Sequence, residues 1–304
     1  MGDGLEFAKL SGSGNDFICI DDRRGQLGPI ARDPHRLAKM ATLVCRRGLG
    51  IGADGLIIAQ QPEIEGVADI AATFLEPDGS QAELCGNGVA CFTRWVMEDR
   101  HAAGPEVKIL TTAGVVRGKS GDGDGYIRAC IPIPESVHVG QRLHAGGRQW
   151  EYDFAITGVP HLVTFVEDLD DLEVSHWGPL LRHHPRFAPR GVNANFVQVI
   201  EPGRLAVRTF EFGVEGETLA CGTGSATAAI MAARRFKWPA QYLRGEQPVM
   251  VQARSGDVLR IYFTLVGDRI DDVCLETLVR FLYRGRLHAD LQSRLLEPPG
   301  GTQG

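Results

Sequence analysis

The sequence predicts an α/β protein made of two similar halves, each with many strands around an isolated central helix. Three observations lead to this fold class. The chain has 304 residues, a length that suits two domains better than one. Strand-like runs outnumber helical ones, without the regular alternation of a doubly wound sheet. The pattern C-G-[NT]-G-x-A occurs at residues 85–90 and again at 221–226, close to half the chain apart, which indicates a duplicated domain.

The elements of the first half follow from the spacing of its apolar residues. Residues 5–10 and 17–20 are predicted strands on either side of a glycine turn. Residues 34–47 are a predicted helix, with Asp33 as its N-cap, Pro34 in its first turn and Gly48 after its end. The runs GLIIAQ and ADIAATFL are predicted strands, and a connector is expected near residues 131–135.

The second half is predicted to be mostly strands around one helix. Each copy of the repeated motif is expected to open a helix. The first helix carries Val89, Phe92 and Trp95, apolar around much of its circumference as in a buried central helix. The second is rich in small residues. The runs WEYDFAITG, HLVTFVED, NANFVQVI and RLAVRTFEF are predicted strands before it, and VMVQA, VLRIYFTL and LVRFLYRG after it.

Composition narrows the class of partner. The net charge of −6 and the pI near 5.9 give no basic surface for nucleic acid or an anionic membrane. The N-terminal segment MGDGLEFAKL lacks the pattern of a signal peptide, and no run approaches the roughly 20 apolar residues of a membrane span. We therefore expect neither nucleic acid nor membrane as a partner, and a small molecule instead.

The seven cysteines are an odd number and are widely scattered. This distribution favours reduced thiols in a cytoplasm over a disulfide framework. Cys19, Cys130 and Cys274 lie in apolar or strand-like runs, and Cys91 lies inside the first motif helix. These four are predicted to be inert core residues.

The two motif cysteines have a different setting, because each stands at a predicted helix entrance. A helix N-terminus presents unpaired N–H groups and about half a positive charge, which favours a bound carboxylate. The same field lowers the pKa of a thiol. Two such thiols on opposite sides of an α-carbon could remove a proton from one face and deliver one to the other. The pattern thus predicts stereoinversion rather than phosphate binding.

Other kinds of site fit the sequence less well. There is no C-x-x-C pair and no histidine cluster at ligand spacing beyond His183-His184, so we expect no metal. The run GLGIGADG follows a predicted helix rather than a strand, so it fails the context required of a dinucleotide loop. No cofactor is expected.

Several motifs together resemble those of the diaminopimelate epimerase family, cofactor-independent enzymes that interconvert LL- and meso-diaminopimelate. The matching segments are GSGNDF, GIGADG, DGSQAELCGNGVAC, GVPH, VNANFVQ and GETLACGTG, and they run through most of the chain. The resemblance implies two pseudo-symmetric domains, each a curved, mainly antiparallel sheet or barrel around a central helix. It also implies a site in the cleft between the domains, and usually a homodimer.

The resemblance also assigns roles to individual residues. It makes Cys85 and Cys221 the acid–base pair, with roles that exchange with the direction of reaction. His161 and Glu211 become the candidates for tuning the thiol pKa values. The implied substrate-binding residues are Asn15, Glu76, Gly86, Asn87, Asn193, Glu211, Phe212, Gly222 and Thr223.

Three positions depart from the family pattern on the side that holds the distal end of diaminopimelate. Glu76 and Val159 stand where the family usually has asparagine, and Phe212 stands where it has arginine. Losing a cation and gaining an anion weakens carboxylate binding. A racemase for another amino acid with a basic or aromatic side chain, such as lysine, arginine or histidine, is therefore an alternative to diaminopimelate. A non-catalytic amino-acid or redox sensor with facing thiols is a weaker one.

The duplication divides the chain into two predicted domains. The first spans residues 1–134 and is completed by a C-terminal strand near residues 276–288. The second spans residues 135–275, and residues 289–304 are expected to form a tail.

Overall fold

The computed structural model describes residues 4–82, 84–99 and 104–296 as a mixed α/β protein with few helices, which confirms the predicted fold class. The helices are α1 (Pro34–Cys45), α2 (Gly86–Glu98), α3 (Val174–Arg182), α4 (Gly222–Arg235), α5 (Ala240–Leu243) and α6 (Ala289–Leu296). The strands are β1 (Glu6–Gly12), β2 (Asn15–Asp21), β3 (Gly55–Gln60), β4 (Ile70–Leu75), β5 (Glu106–Thr111), β6 (Gly114–Ser120), β7 (Tyr126–Cys130), β8 (Glu135–Ala145), β9 (Arg148–Thr157), β10 (Val159–Phe165), β11 (Asn193–Glu201), β12 (Arg204–Glu211), β13 (Gly216–Thr218), β14 (Val249–Gln252), β15 (Val258–Val266) and β16 (Arg269–Arg286).

Two compact units divide the chain. Unit 1 comprises Met1–Ile127 with Val279–Gly304, and unit 2 comprises Arg128–Leu278. Strand β16 therefore contributes its first part to unit 2 and its last part to unit 1. Among the described helices, none is long and apolar enough to cross a membrane.

Unit 1 is a strand ring around helix α2. The strands follow the order β1-β2-β3-β4-β5-β6-β7-β16, and β16 pairs back onto β1 to close the ring. Helix α2 contacts β1, β2, β3, β5 and β6, and its Val89, Phe92 and Val96 have no exposed surface. Its apolar circumference is thus explained by enclosure on all sides, as the sequence predicted.

Outside the ring, α1 covers β3 and carries the predicted caps. Asp33 accepts hydrogen bonds from the backbone N–H groups of His35 and Arg36, and Pro34 begins the helix. Helix α6 packs next to α1, with Leu295 buried in the same apolar cluster. The expectation of a tail after residue 288 was therefore wrong for residues 289–296, whose short amphipathic run completes the core under α1. Residues 297–304 lie outside the described part of the chain.

Unit 2 repeats the strand pairings of unit 1. In unit 1, β1–β2, β3–β4 and β5–β6 are antiparallel, whereas β2–β3 and β4–β5 are parallel. In unit 2, β9–β10, β11–β12 and β14–β15 are antiparallel, whereas β10–β11 and β12–β14 are parallel. Because a parallel pair needs a crossover, helices follow at the same places: α1 and α3 after the second strand, α2 and α4 after the fourth.

Helix α4 occupies the centre of unit 2. It contacts β9, β10, β11, β12, β14 and β15, and its residues from Gly222 to Ala233 are all buried. Small side chains allow the strands to approach this helix closely on every side. On the other face of the sheet, α3 packs on β11 and β12 in a cluster with Trp150, Tyr152 and Phe196.

One cysteine prediction was wrong. Cys130 and Cys274 form a disulfide in unit 2, across a separation of 144 residues. The two residues lie on the neighbouring strands β7 and β16, just beside the hydrogen bond that Ile131 N–H donates to the Val273 carbonyl. Strand pairing over so long a separation brings the sulfurs together, and neither local sequence contains a signal for it.

The cysteines predicted to be core residues in unit 1 are confirmed as such. Cys19 and Cys91 have no exposed surface, and burial raises the pKa of each thiol. Burial also raises the pKa of Cys45, on α1, to about 12. A thiol held protonated in this way is a poor nucleophile and a poor base.

Candidate functional site

The first helix entrance lies in unit 1. Cys85 occupies the N-cap position of α2 in an extended conformation, and its carbonyl accepts the first helical hydrogen bond from Val89. The side chain of Cys85 is half-buried, and Gly86 begins the helix. Helix α2 has 13 residues and no acidic side chain in its first turn, so its N-terminal field is uncompensated there.

Asn87, two residues after Cys85, contacts Asn15, another candidate substrate-binding residue. Its Nδ2 donates a 2.7 Å hydrogen bond to Asn15 Oδ1. Asn87 is 1% exposed, and its own Oδ1 is buried without a hydrogen-bond partner among the described residues. A buried acceptor of this kind can bind an N–H donor from a ligand.

A charged network outside the sequence prediction holds Asn15. Asn15 Nδ2 donates to Asp54 Oδ2 at 3.4 Å, while the backbone N–H groups of Asp16 and Asp54 each donate to the other's carboxylate. Arg47 bridges the two carboxylates, and Lys9 binds Asp16 at 2.9 Å. Burial would raise the pKa of Asp16, but hydrogen bonds from Arg47 and Lys9 outweigh it and lower that pKa.

Glu76 lies in the turn that leads from β4 towards Cys85. Its backbone N–H donates to the Ser80 carbonyl at 2.8 Å, and its carbonyl accepts from Gly79. Gly79 has φ +89°, and a Cβ there would lie 2.7 Å from the carbonyl oxygen of Ala38, so the turn requires glycine. The side chain of Glu76 is half-buried.

The second helix entrance lies in unit 2 and is more enclosed. Cys221 is the N-cap of α4, 6% exposed, and its Sγ accepts a 3.4 Å hydrogen bond from the Gly224 N–H. Thr223 Oγ1 lies 3.7 Å from the same sulfur. A Cβ on Gly224 would lie 2.3 Å from Asn195 Oδ1, so this glycine is required by packing against the protein itself rather than by ligand approach.

His161 contacts Thr223, and the surroundings of His161 determine the protonation state of its imidazole. His161 is fully buried, and burial lowers its pKa to about 3. Its Nδ1 accepts from the Asn195 amide at 3.3 Å, so the neutral ring carries its hydrogen on Nε2. That Nε2–H donates to Thr223 Oγ1 at 3.0 Å. Across the 3.7 Å between Thr223 Oγ1 and Cys221 Sγ, either the hydroxyl or the thiol can be the donor.

Asn195 is the residue that sequence reasoning missed at this entrance. It is fully buried, donates also to the Leu162 carbonyl at 2.8 Å, and accepts from Thr209 Oγ1 at 2.9 Å. The available signal was the second asparagine of VNANF, two residues after Asn193 and on the same face of its strand.

Asn193, Glu211 and Phe212 meet where β11 begins and β12 ends. Asn193 is 2% exposed, and its Oδ1 accepts a 2.7 Å hydrogen bond from the backbone N–H of Phe212. Glu211 is half-buried, the last residue of β12. Phe212 is 37% exposed, and the guanidinium groups of Arg182 and Arg190 lie 4.4 and 5.6 Å from its ring centroid. Neither arginine was a candidate from the sequence.

Within the described residues, no group of three or more His, Cys, Asp or Glu side chains could hold a metal ion. Unit 1 brings together Asn15, Asn87 and the helix entrance at Cys85. Unit 2 brings together His161, Thr223 and Cys221, with the side chain of Asn193 in the same end of the sheet. Val159 is half-buried at the start of β10.

Comparison with known sequences gives a consistent result. The family model for diaminopimelate epimerase matches residues 7–125 and 154–262. A diaminopimelate epimerase from Aquifex aeolicus is 37% identical over 292 residues, which cover 94% of this chain and 99% of that protein. One from Methanocella arvoryzae is 32% identical over 299 residues, which cover 95% of this chain and 99% of that protein.

Comparison with solved structures shows the same fold in more distant proteins. A hydroxyproline epimerase from Agrobacterium vitis, with trans-4-hydroxy-L-proline bound, has a TM-score of 0.70 at 17% identity. The match covers 95% of this chain and 94% of that protein. A probable proline racemase from Agrobacterium radiobacter K84, with carbonate bound, has a TM-score of 0.69 at 16% identity. The match covers 94% of this chain and 93% of that protein.

The sequence relatives extend over nearly the whole chain, and the solved structures share its two-domain architecture. The protein is accordingly an isomerase of the epimerase and racemase class, and it belongs to the diaminopimelate epimerase family.

Proposed function

We propose that the protein is a diaminopimelate epimerase that inverts one α-carbon of LL-diaminopimelate to give the meso isomer, using Cys85 and Cys221 as its two bases. The observation that carries this proposal is the recurrence of one arrangement in both units: a cysteine at the N-cap of a buried central helix of 13 or 14 residues. The choice of diaminopimelate as substrate is supported by the relatives that are named diaminopimelate epimerase.

In the proposed reaction, one thiolate takes the α-proton, so a C–H bond breaks while an S–H bond forms. The opposite thiol then gives its proton to the other face of the carbanion, so the atoms balance without a co-reactant. The α-carboxylate binds at the helix N-termini, where the N–H groups also stabilise the charge that develops on deprotonation. We propose that Gly86 and Gly222 contribute backbone N–H groups there.

The side chains around the two cysteines support distinct roles. The orphaned Oδ1 of Asn87 is suited to accept a hydrogen bond from the substrate ammonium, with Asn15 fixing the amide. Thr223 is suited to donate to the Cys221 sulfur when that sulfur is a thiolate. His161, which burial keeps neutral, is proposed to orient Thr223 rather than to transfer protons itself. Glu211 is proposed to bind the substrate ammonium.

Stereochemistry of exchange tests the two-base mechanism. In D₂O, the wild type should convert LL- to meso-diaminopimelate and place deuterium at the inverted centre. Cys85→Ser and Cys221→Ser should each lower the inversion rate by roughly 10²-fold or more, because each lacks one of the two acid–base groups. Either single variant inverting at the wild-type rate would refute the pairing. Cys91→Ser is the matched control for the loss of a thiol, because Cys91 is a buried cysteine in α2, the helix that begins after Cys85.

Another amino-acid substrate remains the second candidate, and one observation bears on it. Phe212 stands in an exposed position at the active end of unit 2, where an aromatic side chain could stack on it. The two guanidinium groups on its ring argue against lysine or arginine as substrate, since like charges repel. A panel of amino acids in the D₂O assay separates these candidates. Since the family is one of enzymes, the non-catalytic sensor has no support of its own.

We also propose that the enzyme acts without a cofactor, as a cytoplasmic homodimer. Family resemblance supports the assembly and the absence of a cofactor. Activity after exhaustive dialysis against chelator, and the mass in solution from light scattering, test the two parts.

A further inference from the structure

A series of three hydrogen-bonded side chains in unit 1 leads from the start of β3 to the Cys85 helix. Asp54, directly before β3, accepts a 3.4 Å hydrogen bond from the Nδ2 of Asn15, the first residue of β2. Asn15 Oδ1 accepts a 2.7 Å hydrogen bond from the Nδ2 of Asn87, in the first turn of α2. We call the series from Asp54 through Asn15 to Asn87 the amide relay.

The Asp54 carboxylate determines which way each amide of the relay faces. Arg47 Nη2 donates to Asp54 Oδ1 at 2.9 Å, and a carboxylate paired with a guanidinium has acceptors only. Asn15 therefore turns its Nδ2 towards Asp54, which leaves its Oδ1 facing Asn87. Because that oxygen is again an acceptor, Asn87 donates through its Nδ2, and its Oδ1 becomes the last atom of the relay.

This last atom has no partner inside the described part of the protein. Asn87 is 1% exposed, and none of the described residues donates to its Oδ1. Such a buried acceptor is costly unless a ligand or a water supplies the hydrogen. The backbone groups left unpaired at the start of a helix are donors, which suit a carboxylate. The relay thus adds an acceptor for an ammonium beside donors for a carboxylate, and an α-amino acid carries both groups.

Asp54 can impose this direction because contacts between β2 and β3 hold its carboxylate in place. Phe17 pairs with Gly55 on the adjacent parallel strand, so Asp16 and Asp54, which precede them, lie side by side. The backbone N–H of Asp16 donates to Asp54 Oδ2 at 3.1 Å, and that of Asp54 donates to Asp16 Oδ1 at 3.0 Å. Lys9, which is 3% exposed, binds the Asp16 carboxylate at 2.9 Å and secures the pair from the interior.

We propose that Asp54 is a positioning residue for the epimerisation: its carboxylate fixes the direction of the amide relay, so that Asn87 presents its Oδ1 to the α-ammonium of the substrate. The inference deepens the proposed function, on which it rests. Asp54 acts through Asn15 and Asn87, and it needs no contact of its own with the substrate.

A cycle of Asp54→Ala, Asn15→Ala and the double variant tests this role. Asp54→Ala should raise KM for LL-diaminopimelate about tenfold, as for a weakened hydrogen bond to a charged group. It should change kcat less than about twofold, because both cysteines stay in place. Since Asp54 acts through Asn15, adding Asp54→Ala to Asn15→Ala should change KM less than about twofold, whereas two independent contributions would multiply.

Two single variants separate the acceptor from the local structure. Asp54→Asn keeps an oxygen that can accept from Asn15 and from the Asp16 N–H, so its KM should stay within about threefold of wild type. Asp21→Ala is the matched control, because Asp21 also binds an arginine, Arg23 at 2.8 Å, but lies at the other end of β2. It should leave KM unchanged.

Three results would overturn the inference and leave the proposed function intact. The first is an unchanged KM in Asp54→Ala. The second is an equal rise in KM from Asp54→Ala in the wild-type and Asn15→Ala backgrounds, which would mean that Asp54 acts by another route. The third is a KM in Asp54→Asn as high as in Asp54→Ala, which would exclude the acceptor as the cause.

The cycle can be run with whichever amino acid the wild type racemises, so it does not depend on diaminopimelate. A wild type that exchanges the α-proton of no amino acid in D₂O would refute the proposed function, and this inference with it.

Discussion

Replacing His161 by glutamine should remove a specific part of the pH dependence of stability. Burial lowers the pKa of His161 to about 3 in the folded protein, whereas an unfolded histidine titrates near 6.5. Between these values the unfolded state binds the extra proton, so the free energy of unfolding falls as the pH falls from 6.5 towards 3. The stabilisation is fully present above pH 6.5. At pH 5.0 the expected loss is about 2 kcal/mol, from 1.5 pH units at 1.36 kcal/mol each.

Urea unfolding at pH 8.0 and pH 5.0 measures this term. Wild type should lose about 2 kcal/mol more than His161→Gln over that interval, because glutamine can still donate to Thr223 but does not titrate. Contributions from all other groups cancel in the comparison. His35→Gln, at an exposed position of α1, is the control and should behave as wild type. Equal pH dependence in wild type and His161→Gln would refute a buried, neutral imidazole and the hydrogen-bond direction derived from it.

Three other outcomes are expected. Thr223→Val should lower kcat about tenfold and the free energy of unfolding by about 1–3 kcal/mol, since it removes the proposed donor to Cys221 and leaves a buried imidazole N–H unpaired. Thr218→Val, at a buried hydroxyl without a partner among the described residues, should lower the free energy of unfolding by less than a third of that amount. Arg47→Ala should raise KM several-fold, because the ion pairs of Arg47 hold the first residues of β2. It should lower the free energy of unfolding by less than about 1 kcal/mol, because these ion pairs are largely exposed. The control Arg46→Ala, at a neighbouring exposed arginine, should leave KM unchanged. Thiol titration of denatured, unreduced protein should find five of the seven cysteines reactive, and seven would refute the disulfide.

The sequence was most informative where the determinants are local. The cap at Asp33, the buried central helices and the two cysteines at helix entrances each depend on residues within one or two turns of chain, so motif and periodicity were sufficient. The repeat of the cysteine motif also predicted a duplication that the matching strand pairings of the two units support.

Local sequence patterns could not predict the contacts that depend on the pairing of strands distant in sequence. Neither Cys130 nor Cys274 has a neighbour in sequence that points to the other, and they meet only because β7 pairs with β16. Arg190 is likewise a surface arginine in sequence, and its position over Phe212 depends on how the segment before β11 lies against the end of β12. The sequence showed that position 212 lacks a cation, but it gave no sign that two arginines from other segments lie over the ring of Phe212.

The duplication also places different side chains at matching positions beside the two motif cysteines. In each unit, the start of the second strand contacts the residue two places after the motif cysteine: Asn15 with Asn87 in unit 1, and His161 with Thr223 in unit 2. In unit 1 both partners are amides, and Asn87 Oδ1 is left buried without a hydrogen-bond partner among the described residues. In unit 2 the imidazole contacts a hydroxyl that lies 3.7 Å from the sulfur of Cys221. Because the same pair of positions is in contact in both units while the side chains differ, each half can specialise without disturbing the helix entrance. Different surroundings for the two cysteines agree with the proposed two-base mechanism, which requires the two thiols to hold opposite protonation states whenever substrate is bound.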